Sequence, residues 1–402
     1  MSALRVTMLA PFGIRPKGTL SARMLPLAQA LVRRGHAVSI IAPPVQNPQD
    51  AGRRAVYAGV PVTHTPLPSW PGAAGVAQQV QSLLRAALAE RPDLVHLFKP
   101  KGYSGLAALL LRALRPNLPL LVDTDDWEGW GGWNELLPYP RAAKMLFAWQ
   151  ERDLPRRAAG QPIIIGTSAA IRSRTSNSQK RVYNSIEHCV PFCGGFSMLN
   201  CSFSIPITPF GRYITRSGGT PKPQTCACKV RLATVTVAAR LLVVGRGERG
   251  EERELLRLAA RAGIAAAIDY RGWVEPHAIP ALLASADIAL VPIDDTLINR
   301  ARSSAKLLEL MAAGLPIVAG RVGEVAEYIE DRRSGLLVAP GDPAALARAT
   351  LMLLADPMLR TRLGRAAQER AAQHFGWDRL ALQAEAAYMR ALQDVQRGSP
   401  GR

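Results

Sequence analysis

The sequence predicts an α/β protein built from two doubly wound halves. Apolar runs typical of buried strands alternate with segments of helical periodicity, and glycine-rich or polar loops follow the strands. The chain has 402 residues, 48% hydrophobic and 20% charged, which suffices for two cores. We place an N-terminal domain at residues 1–160, a second domain at 240–375, and a C-terminal helix and tail at 376–402.

The N-terminal half opens with a βαβ unit. An apolar run at Leu4–Ala10 is the first strand, and Ala37–Ala42 is the second. The helix between them ends at Gly35, and Pro26 is tolerated only if it lies in the first helical turn. The alternation then continues with a helix at 78–90, a strand at 94–98, a helix at 104–114 and a strand at 118–123.

Polar clusters follow three of these strands. They lie at Gly13–Thr19, His96–Gly102 and Asp123–Trp133. Because ligands of parallel sheets bind beyond the carboxyl ends of the strands, these loops are candidate binding elements. The first loop supplies Gly13, Lys17 and Gly18 as candidates for contact with an acceptor or a phosphate.

The third cluster combines acidic and aromatic side chains. Asp125 and Asp126 precede three tryptophans within one loop. Carboxylates accept hydroxyl hydrogen bonds and indole rings offer flat apolar faces, so the loop suits a sugar-binding cleft, with both aspartates as catalytic candidates. Two other interpretations remain open: a metal site, which lacks a nearby His partner, and a solvated loop whose tryptophans cover the sheet end.

The second half repeats the alternation from residue 240. We predict strands at 240–244, 268–271, 288–292 and 315–319, and helices ending near 262 and spanning 279–284 and 305–313. Asp342 and Pro343 suit the N-cap and first position of a later helix. These elements predict a second parallel sheet.

The helix at 305–313 carries a carboxylate away from its apolar face. Gly314 ends this helix, and Glu309 points roughly opposite the apolar stripe, so the core does not require it. Such a carboxylate can accept hydrogen bonds from a ribose diol. The alternative is a solvated salt bridge to Lys306, three residues earlier.

Residues 161–239 differ from the rest of the chain. All five cysteines lie here, at 189, 193, 201, 226 and 228. Between Arg172 and Val235 there are nine basic residues and one acidic residue, and no sustained periodicity. A zinc site is one explanation, although the Cys-x-Cys and Cys-x3-Cys spacings are not the usual Cys-x2-Cys, and a long disordered insertion is a second. A shifted reading frame is the explanation we favour, because composition changes abruptly at both ends.

The formal net charge of +19 favours polyanionic partners. The arginines are scattered along helices without an aromatic-interleaved basic block, which argues against a nucleic-acid-binding module. Residues 1–10 lack a secretory signal pattern, and no run approaches the ~18 apolar residues of a spanning helix. We expect a cytoplasmic protein, and its charge is compatible with peripheral association at the inner membrane surface.

The motifs of the second half resemble the donor domain of family 4 glycosyltransferases. Three consecutive stretches, Leu308–Ala319, Val322–Ile329 and Ser334–Ala347, are similar to that domain in order and spacing. Matches upstream lie at 241–247, 270–274 and 285–292. The glycine loop and Arg34–Val38 match more weakly.

The resemblance implies the GT-B fold, in which two doubly wound Rossmann-like domains face a central cleft. It places Glu309 at the ribose and implies donor contacts from Gly245, Arg246, Gly247, Val274 and Lys306. The family's upstream glutamate falls on Ala301, so Asn299, Arg302, Ser303 or free backbone N–H groups are substitutes. Its diphosphate-binding Arg and Lys fall near 210–225, where we assign no residue.

The resemblance further implies transfer of a sugar from a nucleotide-diphosphate sugar, with retention at the anomeric carbon. The acceptor is a saccharide or a lipid-linked compound, and no metal or separate cofactor is expected, since the nucleotide sugar is a substrate. Two alternatives remain: a nucleotide-sugar epimerase on the same fold, and an inactive or merely ligand-binding relative with a damaged donor site.

Overall fold

The computed structural model divides the chain into two compact units. It describes residues 3–14, 19–45, 47–124, 126–157, 239–247 and 250–398. Unit 1 combines the described residues before the long gap with Thr296–Ala305 and the chain from Gln373 onward. Unit 2 holds the remainder of the described C-terminal half. Unit 1 is therefore assembled from three separate pieces of chain, whereas the sequence suggested consecutive domains.

Unit 1 contains a six-stranded sheet in the order β3-β4-β2-β1-β5-β6. Its strands are β1 Arg5–Leu9, β2 Ala37–Ala42, β3 Arg54–Tyr57, β4 Val60–His64, β5 Leu94–Phe98 and β6 Leu120–Asp123. All neighbouring pairs are parallel except β3 and β4. This edge hairpin was not predicted from the sequence, because β3 is short and half-exposed. Its two turn residues, Ala58 and Gly59, both have positive φ, as a tight hairpin turn requires.

Helices flank this sheet and supply most of its core. Those before the gap are α1 Leu25–Arg33, α2 Gly72–Ala89, α3 Tyr103–Leu114, α4 Trp133–Leu136 and α5 Arg141–Arg157. Pro26 lies in the first turn of α1, directly after a π-helical turn at Thr19–Met24, so it removes no needed hydrogen bond. Gly35 follows α1 at φ 93°, as the predicted helix stop requires. Side chains of α2 and α3 pack on β1, β2, β5 and β6 to form the core.

Unit 2 contains parallel strands in two separate groups. The strands are β7 Leu241–Val244, β8 Ile268–Gly272, β9 Ala289–Val291, β10 Ile317–Gly320 and β11 Leu336–Val338. Within the described residues, β7 pairs with β8, and β9, β10 and β11 form a second group. The parallel direction and the α/β class agree with the sequence prediction.

The helices of the C-terminal half begin and end largely where the sequence predicts. They are α6 Glu251–Arg261, α7 Ile279–Ala284, α8 Leu297–Ala301, α9 Ala305–Ala312, α10 Val325–Tyr328, α11 Pro343–Ala355, α12 Pro357–Phe375 and α13 Trp377–Gln396. Asp342 caps α11 by accepting a 2.9 Å hydrogen bond from the backbone N–H of Ala345. Gly314 follows α9 at φ 73°. No helix in the described part of the chain is long and apolar enough to cross a membrane.

The C-terminal helix α13 completes unit 1 by packing against α1. Glu385 accepts hydrogen bonds from Arg34 at 2.5 and 2.8 Å and bonds to the ring of His36 at 2.9 Å. One turn later, the hydroxyl of fully buried Tyr388 lies 2.8 Å from Nδ1 of His96 in β5. A polar network therefore joins the last helix to the interior of the N-terminal sheet.

His96 makes the stability of unit 1 depend on pH. Burial, assisted by the positive charge of Arg23, lowers its pKa from 6.5 to about 3. Below pH 6.5 the His96 imidazole is protonated in the unfolded chain but stays neutral in the folded protein. We expect the free energy of unfolding to fall by about 1.4 kcal/mol per pH unit from this residue as pH drops from 6.5 towards 3.

The measurement is chemical unfolding of wild type and His96→Asn at several pH values, because the difference between the two profiles removes the contributions of all other groups. The Tyr388→Phe variant, which keeps the histidine, should retain the wild-type slope. Equal slopes for wild type and His96→Asn would contradict a buried neutral imidazole.

Candidate functional site

Three loops of unit 1 meet around the ammonium group of Lys101. This side chain is only 5% exposed, and its Nζ lies 2.7 Å from Oε2 of Glu128. The same Nζ lies 5.9 Å from the ring centre of Phe12, and aromatic rings of α5 and its preceding loop also face it. Because Phe12 follows β1, Lys101 follows β5 and Glu128 follows β6, this contact fixes three strand-end loops together.

A second ion pair lies beside the first. Nζ of Lys99 is 2.8 Å from Oδ2 of Asp126 and 3.7 Å from Oε1 of Glu128. Lys99 has φ 49°, a conformation that non-glycine residues rarely adopt. The Ser104 hydroxyl lies 3.2 Å from the backbone oxygen of Lys99 and 3.0 Å from that of Lys101, which holds the loop in this shape. In this loop conformation both ammonium groups contact the acidic loop.

Of the acceptor-side candidates predicted from the sequence, the structure describes Asp126 and Gly13. Asp126 is half-buried at the loop just described. Gly13 lies against buried Asn47, where a Cβ would fall 1.7 Å from the Asn47 Oδ1 atom, so a larger residue would have to displace the Asn47 side chain. Asp125, Lys17 and Gly18 lie outside the described residues.

The three tryptophans of the acidic loop do not form one platform. The Trp127 Nε1–H donates to the backbone oxygen of Trp130 at 2.8 Å, and Gly129 and Gly132 pack closely around Trp127. The Trp130 ring is 56% exposed. Trp133 is half-buried. Trp127 and Trp133 therefore shape the loop, and only Trp130 presents a large free face.

Trp133 also contacts the short segment that carries α8. The Arg302 guanidinium lies 5.1 Å from the ring centre of Trp133, and a Cβ at Gly131 would lie 3.1 Å from Leu297. This segment, Thr296–Ala305, belongs to unit 1. The sequence offered Arg302 as a substitute sugar contact, whereas here its guanidinium stacks on an indole ring. Asn299 contributes a backbone N–H to the Thr296 hydroxyl that caps α8.

A buried ion pair supports the acidic loop from behind. Nη2 of Arg23 lies 2.5 Å from Oδ1 of Asp123, the last residue of β6, and both side chains are buried. The other carboxylate oxygen lies 3.9 Å from Nε2 of His96. His96, one member of the second polar cluster, is thus a neutral structural group within the sheet, linked to α13 through Tyr388.

The donor-side glycines lie in unit 2 at the end of the β7–β8 pair. The backbone N–H of Gly245 donates to the Gly272 oxygen at 2.7 Å, and Val274 follows two residues after Gly272. Gly247 donates its N–H to Oε2 of Glu252 at 2.9 Å. Backbone hydrogen bonds from Glu252 itself and from Gly247 lower the pKa of Glu252. The carboxylate of Glu252 therefore occupies the backbone N–H of Gly247. Arg246 lies between the two glycines of this turn.

Glu309 is a strongly perturbed carboxyl group of unit 2. It lies in the middle of α9, whose neighbouring residues Leu308 and Leu310 are buried. Burial raises the pKa of Glu309 to about 7, and the positive charge of Lys306 offsets only part of that effect. The residue is half-buried and not a member of a solvated face. A polar group held at such a cost is typical of a functional site.

Within the described residues, no three His, Cys, Asp or Glu side chains are grouped so that they could hold a metal ion. The five cysteines considered as zinc ligands lie outside the described residues, as does the stretch expected to carry the diphosphate-binding Arg and Lys. The reading-frame hypothesis concerns the same stretch.

Sequence reasoning missed Lys99 and Lys101 as site residues. Both lysines follow the buried strand β5 and are two residues apart. Their acidic partners Asp126 and Glu128, which follow β6, have the same spacing. The matched spacing was the only hint in the sequence that these lysines pair with these carboxylates. It predicts the pairing only once β5 and β6 are known to be neighbours, because their loops then lie side by side.

Two family models match the chain. The model described as "Glycosyl transferase 4-like domain" matches residues 18–182, and the one described as "Glycosyl transferases group 1" matches residues 226–356. Together they cover much of both halves. Residues 183–225, inside the unusual stretch, lie between the two matches.

Curated relatives fall into two groups. A D-inositol 3-phosphate glycosyltransferase of Streptomyces avermitilis is 35% identical over 143 residues, which is 36% of this chain and 30% of the relative. A second, from Catenulispora acidiphila, is 36% identical and is covered to 33%. The matches thus span about a third of these relatives. A phosphatidyl-myo-inositol mannosyltransferase of Mycobacterium leprae is 27% identical, with 96% of each chain covered.

Solved structures share the fold at low sequence identity. A sucrose-phosphate synthase from Thermosynechococcus elongatus has TM-score 0.65 and 18% identity, covering 97% of this chain and 99% of its own. Anabaena HepE, solved with UDP and glucose, has TM-score 0.59 and 17% identity, covering 96% and 99%. These neighbours have the GT-B fold, as predicted from the sequence.

The buried pair of Lys101 and Glu128 gives a test of the site's construction. Because either single substitution leaves a buried charge without its close partner, we expect Lys101→Met or Glu128→Gln to lower the free energy of unfolding by about 3–5 kcal/mol. The double variant should lower the free energy of unfolding by clearly less than the sum of the two single effects.

A double-mutant cycle by chemical unfolding measures this coupling. Glu369→Gln, which removes one partner of an exposed pair with Arg365 on α12, is the matched control and should cost less than about 0.5 kcal/mol. Additive single effects at Lys101 and Glu128 would rule out the coupling.

Proposed function

Since the chain belongs to the family 4 glycosyltransferases, we propose that it transfers a hexosyl group from a nucleotide-diphosphate sugar to an acceptor, with retention at the anomeric carbon. Unit 2 holds the donor in this proposal, and unit 1 holds the acceptor. Each unit carries its own group of perturbed or buried charged side chains. The assignment of substrates to units rests on those groups.

Glu309 is the observation that carries the proposal. A carboxyl group with a pKa of about 7 lies on α9, in the stretch whose sequence is similar to the family's donor domain. Two ribose hydroxyl groups can replace the water that burial has partly removed from this carboxylate, since each donates a hydrogen bond to it. The bound nucleotide then favours the ionised form of Glu309.

The other donor contacts in the proposal come from strand ends and from α9. Gly245, Arg246, Gly247 and Val274 follow β7 and β8, which are hydrogen-bonded neighbours. Lys306, one turn before Glu309, supplies positive charge for a phosphate. Because Glu252 already occupies the Gly247 N–H, we assign that turn to neutral hydroxyl or base contacts rather than to the diphosphate.

The acceptor side uses Asp126 and the loop at Gly13. Nζ of Lys99 holds the Asp126 carboxylate in place at 2.8 Å. An ionised carboxylate accepts and orients a hydroxyl group of the acceptor. Asp125 is the second acidic candidate of the same loop, and Lys17 and Gly18 extend the loop at Gly13.

The reaction requires no nucleophile from the protein. The bond between the anomeric carbon and the diphosphate oxygen breaks, and the acceptor oxygen bonds to the same face of that carbon. The acceptor proton passes to an oxygen of the departing diphosphate, so charge and atoms balance. Positive groups such as Lys306 stabilise the leaving diphosphate.

The names of the relatives suggest a chemical class for the acceptor. Inositol 3-phosphate and phosphatidyl-myo-inositol occur in those names, and both are phosphorylated cyclic polyols. We propose an acceptor of this chemical class, either free or linked to a lipid. The net charge of +19 favours such anionic acceptors.

Calorimetric titration of the full chain with UDP, GDP and ADP tests donor binding, and a transfer assay with the matching sugar nucleotides tests turnover. Binding followed by transfer supports the proposal. Binding with epimerised sugar and no transfer would assign the epimerase alternative, and binding without turnover would assign a ligand-binding relative. The absence of any nucleotide binding would overturn the proposal.

Nucleotide affinity should depend on the ionisation of Glu309. With a pKa of about 7 in the free protein, the carboxyl is mostly protonated at pH 6 and ionised at pH 8. If only the ionised form accepts the ribose hydrogen bonds, the dissociation constant should rise about tenfold from pH 8 to pH 6.

The Glu309→Gln variant should bind more weakly and lose this pH dependence. Glu327→Gln, which alters a carboxylate outside α9, is the control and should keep the wild-type profile. A wild-type dissociation constant that is flat over this range would show that Glu309 does not contact the nucleotide.

Acceptor turnover should depend on the charge of Asp126. Because a hydrogen bond to a charged group contributes about 1.5–3 kcal/mol, Asp126→Asn should lower kcat/KM for the acceptor about 10- to 150-fold. The dissociation constant of the nucleotide should stay unchanged, since that ligand is assigned to unit 2.

Steady-state kinetics and nucleotide titration on the same preparation separate the two effects. Glu135→Gln, an exposed carboxylate of the neighbouring helix α4, is the matched control and should leave kcat/KM within twofold of wild type. Equal kinetics for Asp126→Asn and wild type would remove Asp126 from the site.

A further inference from the structure

The loop between β5 and α3 has an unusual backbone conformation. Lys99 at its start has φ 49° and Gly102 at its end has φ 61°. A positive φ costs free energy at a lysine and persists only where surrounding contacts fix the backbone. One such contact is local, because the Ser104 hydroxyl at the start of α3 bonds back to two oxygens of the same loop. A second contact reaches the loop from another element of unit 1.

The second contact comes from Gln150 of α5, which lies 48 positions away from the loop in sequence. Its Oε1 accepts a hydrogen bond from the backbone N–H of Gly102 at 2.7 Å, and its Nε2 donates to the backbone oxygen of the same residue at 3.1 Å. Gln150 is fully buried, so water does not replace either bond. Because two bonds at different atoms resist rotation as well as translation, they fix both the position and the orientation of Gly102.

The α5 helix packs closely on α3 and on the loop at this point. A Cβ on Gly105 of α3 would lie 2.8 Å from Cδ of Gln150, so the small size of glycine leaves room for the amide. One turn before Gln150, the ring centre of Phe147 lies 5.4 Å from Nζ of Lys101. The side chains of α5 therefore contact the loop at two successive turns, and the Gln150 amide is held between α3 and the loop.

The position of Gly102 affects the lysines that precede it. Lys99, three positions earlier, holds the Asp126 carboxylate at 2.8 Å, and Nζ of Lys101 lies 2.7 Å from Glu128. A shift of the loop would pass to Asp126 through its ion pair with Lys99. Misplacement of a reacting group by about 1 Å can lower a rate about hundredfold. The geometry of the acceptor side therefore depends on what holds this loop.

We propose that Gln150 is a positioning residue for the sugar transfer. It holds the loop between β5 and α3 so that Lys99 keeps the Asp126 carboxylate oriented towards the acceptor hydroxyl. A neutral amide suits this role, because it donates and accepts at one residue, whereas a lysine or arginine only donates and a carboxylate only accepts. Gln150 contacts no substrate in this scheme. The inference rests on the proposed function and adds to it a residue of α5.

Steady-state kinetics of Gln150→Met tests the proposal, because methionine has a similar length and makes neither hydrogen bond. We expect kcat/KM for the acceptor to fall at least about tenfold, while the dissociation constant of the nucleotide stays within about twofold of wild type. The matched control is Gln79→Met, which removes another buried glutamine amide of unit 1, one that donates to the Thr65 hydroxyl. This control should keep kcat/KM within about twofold of wild type.

A double variant shows whether Gln150 acts through Asp126. In the Asp126→Asn background, Gln150→Met should lower kcat/KM by less than about twofold further, because the carboxylate that it positions is already absent. Gly105→Ala is an independent variant, since its methyl group displaces the Gln150 amide while alanine favours the helix. It should reproduce the kinetic effect of Gln150→Met in a folded protein. Additive effects of Gln150→Met and Asp126→Asn, or wild-type kcat/KM in either Gln150→Met or Gly105→Ala, would overturn the proposal.

Amide hydrogen exchange separates this inference from the proposed function. The Lys99 N–H donates to the Asp123 oxygen at 2.8 Å, and the Lys101 N–H donates to the Lys99 oxygen at 2.7 Å. Both amides should exchange at least about tenfold faster in Gln150→Met than in Gln79→Met. If the wild-type protein transfers no sugar, the proposed function fails, and faster exchange still identifies Gln150 as the residue that holds the loop. Equal exchange in the two variants would overturn the positioning role itself.

Discussion

The buried contact between Lys101 and Glu128 is the interaction on which the strand-end loops of unit 1 depend. Removing two charges from water costs several kcal/mol per ion, and only a close, well-partnered pair offsets that cost. Here the ammonium group also faces aromatic rings, including that of Phe12. Since the partners follow three different strands, the pair converts the carboxyl edge of the sheet into one rigid surface. Lys99, which lies in the same loop as Lys101, positions Asp126 through an ion pair.

A second polar network extends from that surface through the sheet to the end of the chain. Asp123 bonds to Arg23 and lies near His96, which in turn bonds to Tyr388 of α13. The imidazole is kept neutral by burial, so it serves as a hydrogen-bonding spacer and not as an acid or base at physiological pH. The C-terminal helix is thus part of the N-terminal unit, and the network behind the acidic loop includes a contact between His96 and Tyr388, which are 292 positions apart in sequence.

The carboxyl groups of the two units lie in different environments. In unit 1, Asp126 and Glu128 form close ion pairs with lysines. In unit 2, burial leaves Glu309 balanced between its two protonation states near pH 7. A paired anion suits a fixed orienting role for an acceptor hydroxyl, whereas a carboxyl poised near neutrality gains most from a ligand that supplies hydrogen bonds. The proposed assignment of acceptor and donor to different units draws on this contrast.

The sequence by itself determined the α/β class, most element boundaries and the family, because strand and helix periodicity, helix caps such as Asp342 and stop residues such as Gly314 and Gly35 act locally. It also singled out Glu309 and Asp126 by residue type and position. Tertiary structure decided which charges meet. Lys99 and Lys101 gain their role only because β5 and β6 are neighbours, and α13 joins unit 1 only through contacts of Glu385 and Tyr388 with distant residues. The desolvation that shifts the pKa values of His96 and Glu309 depends on packing from many elements, which no local pattern in the sequence records.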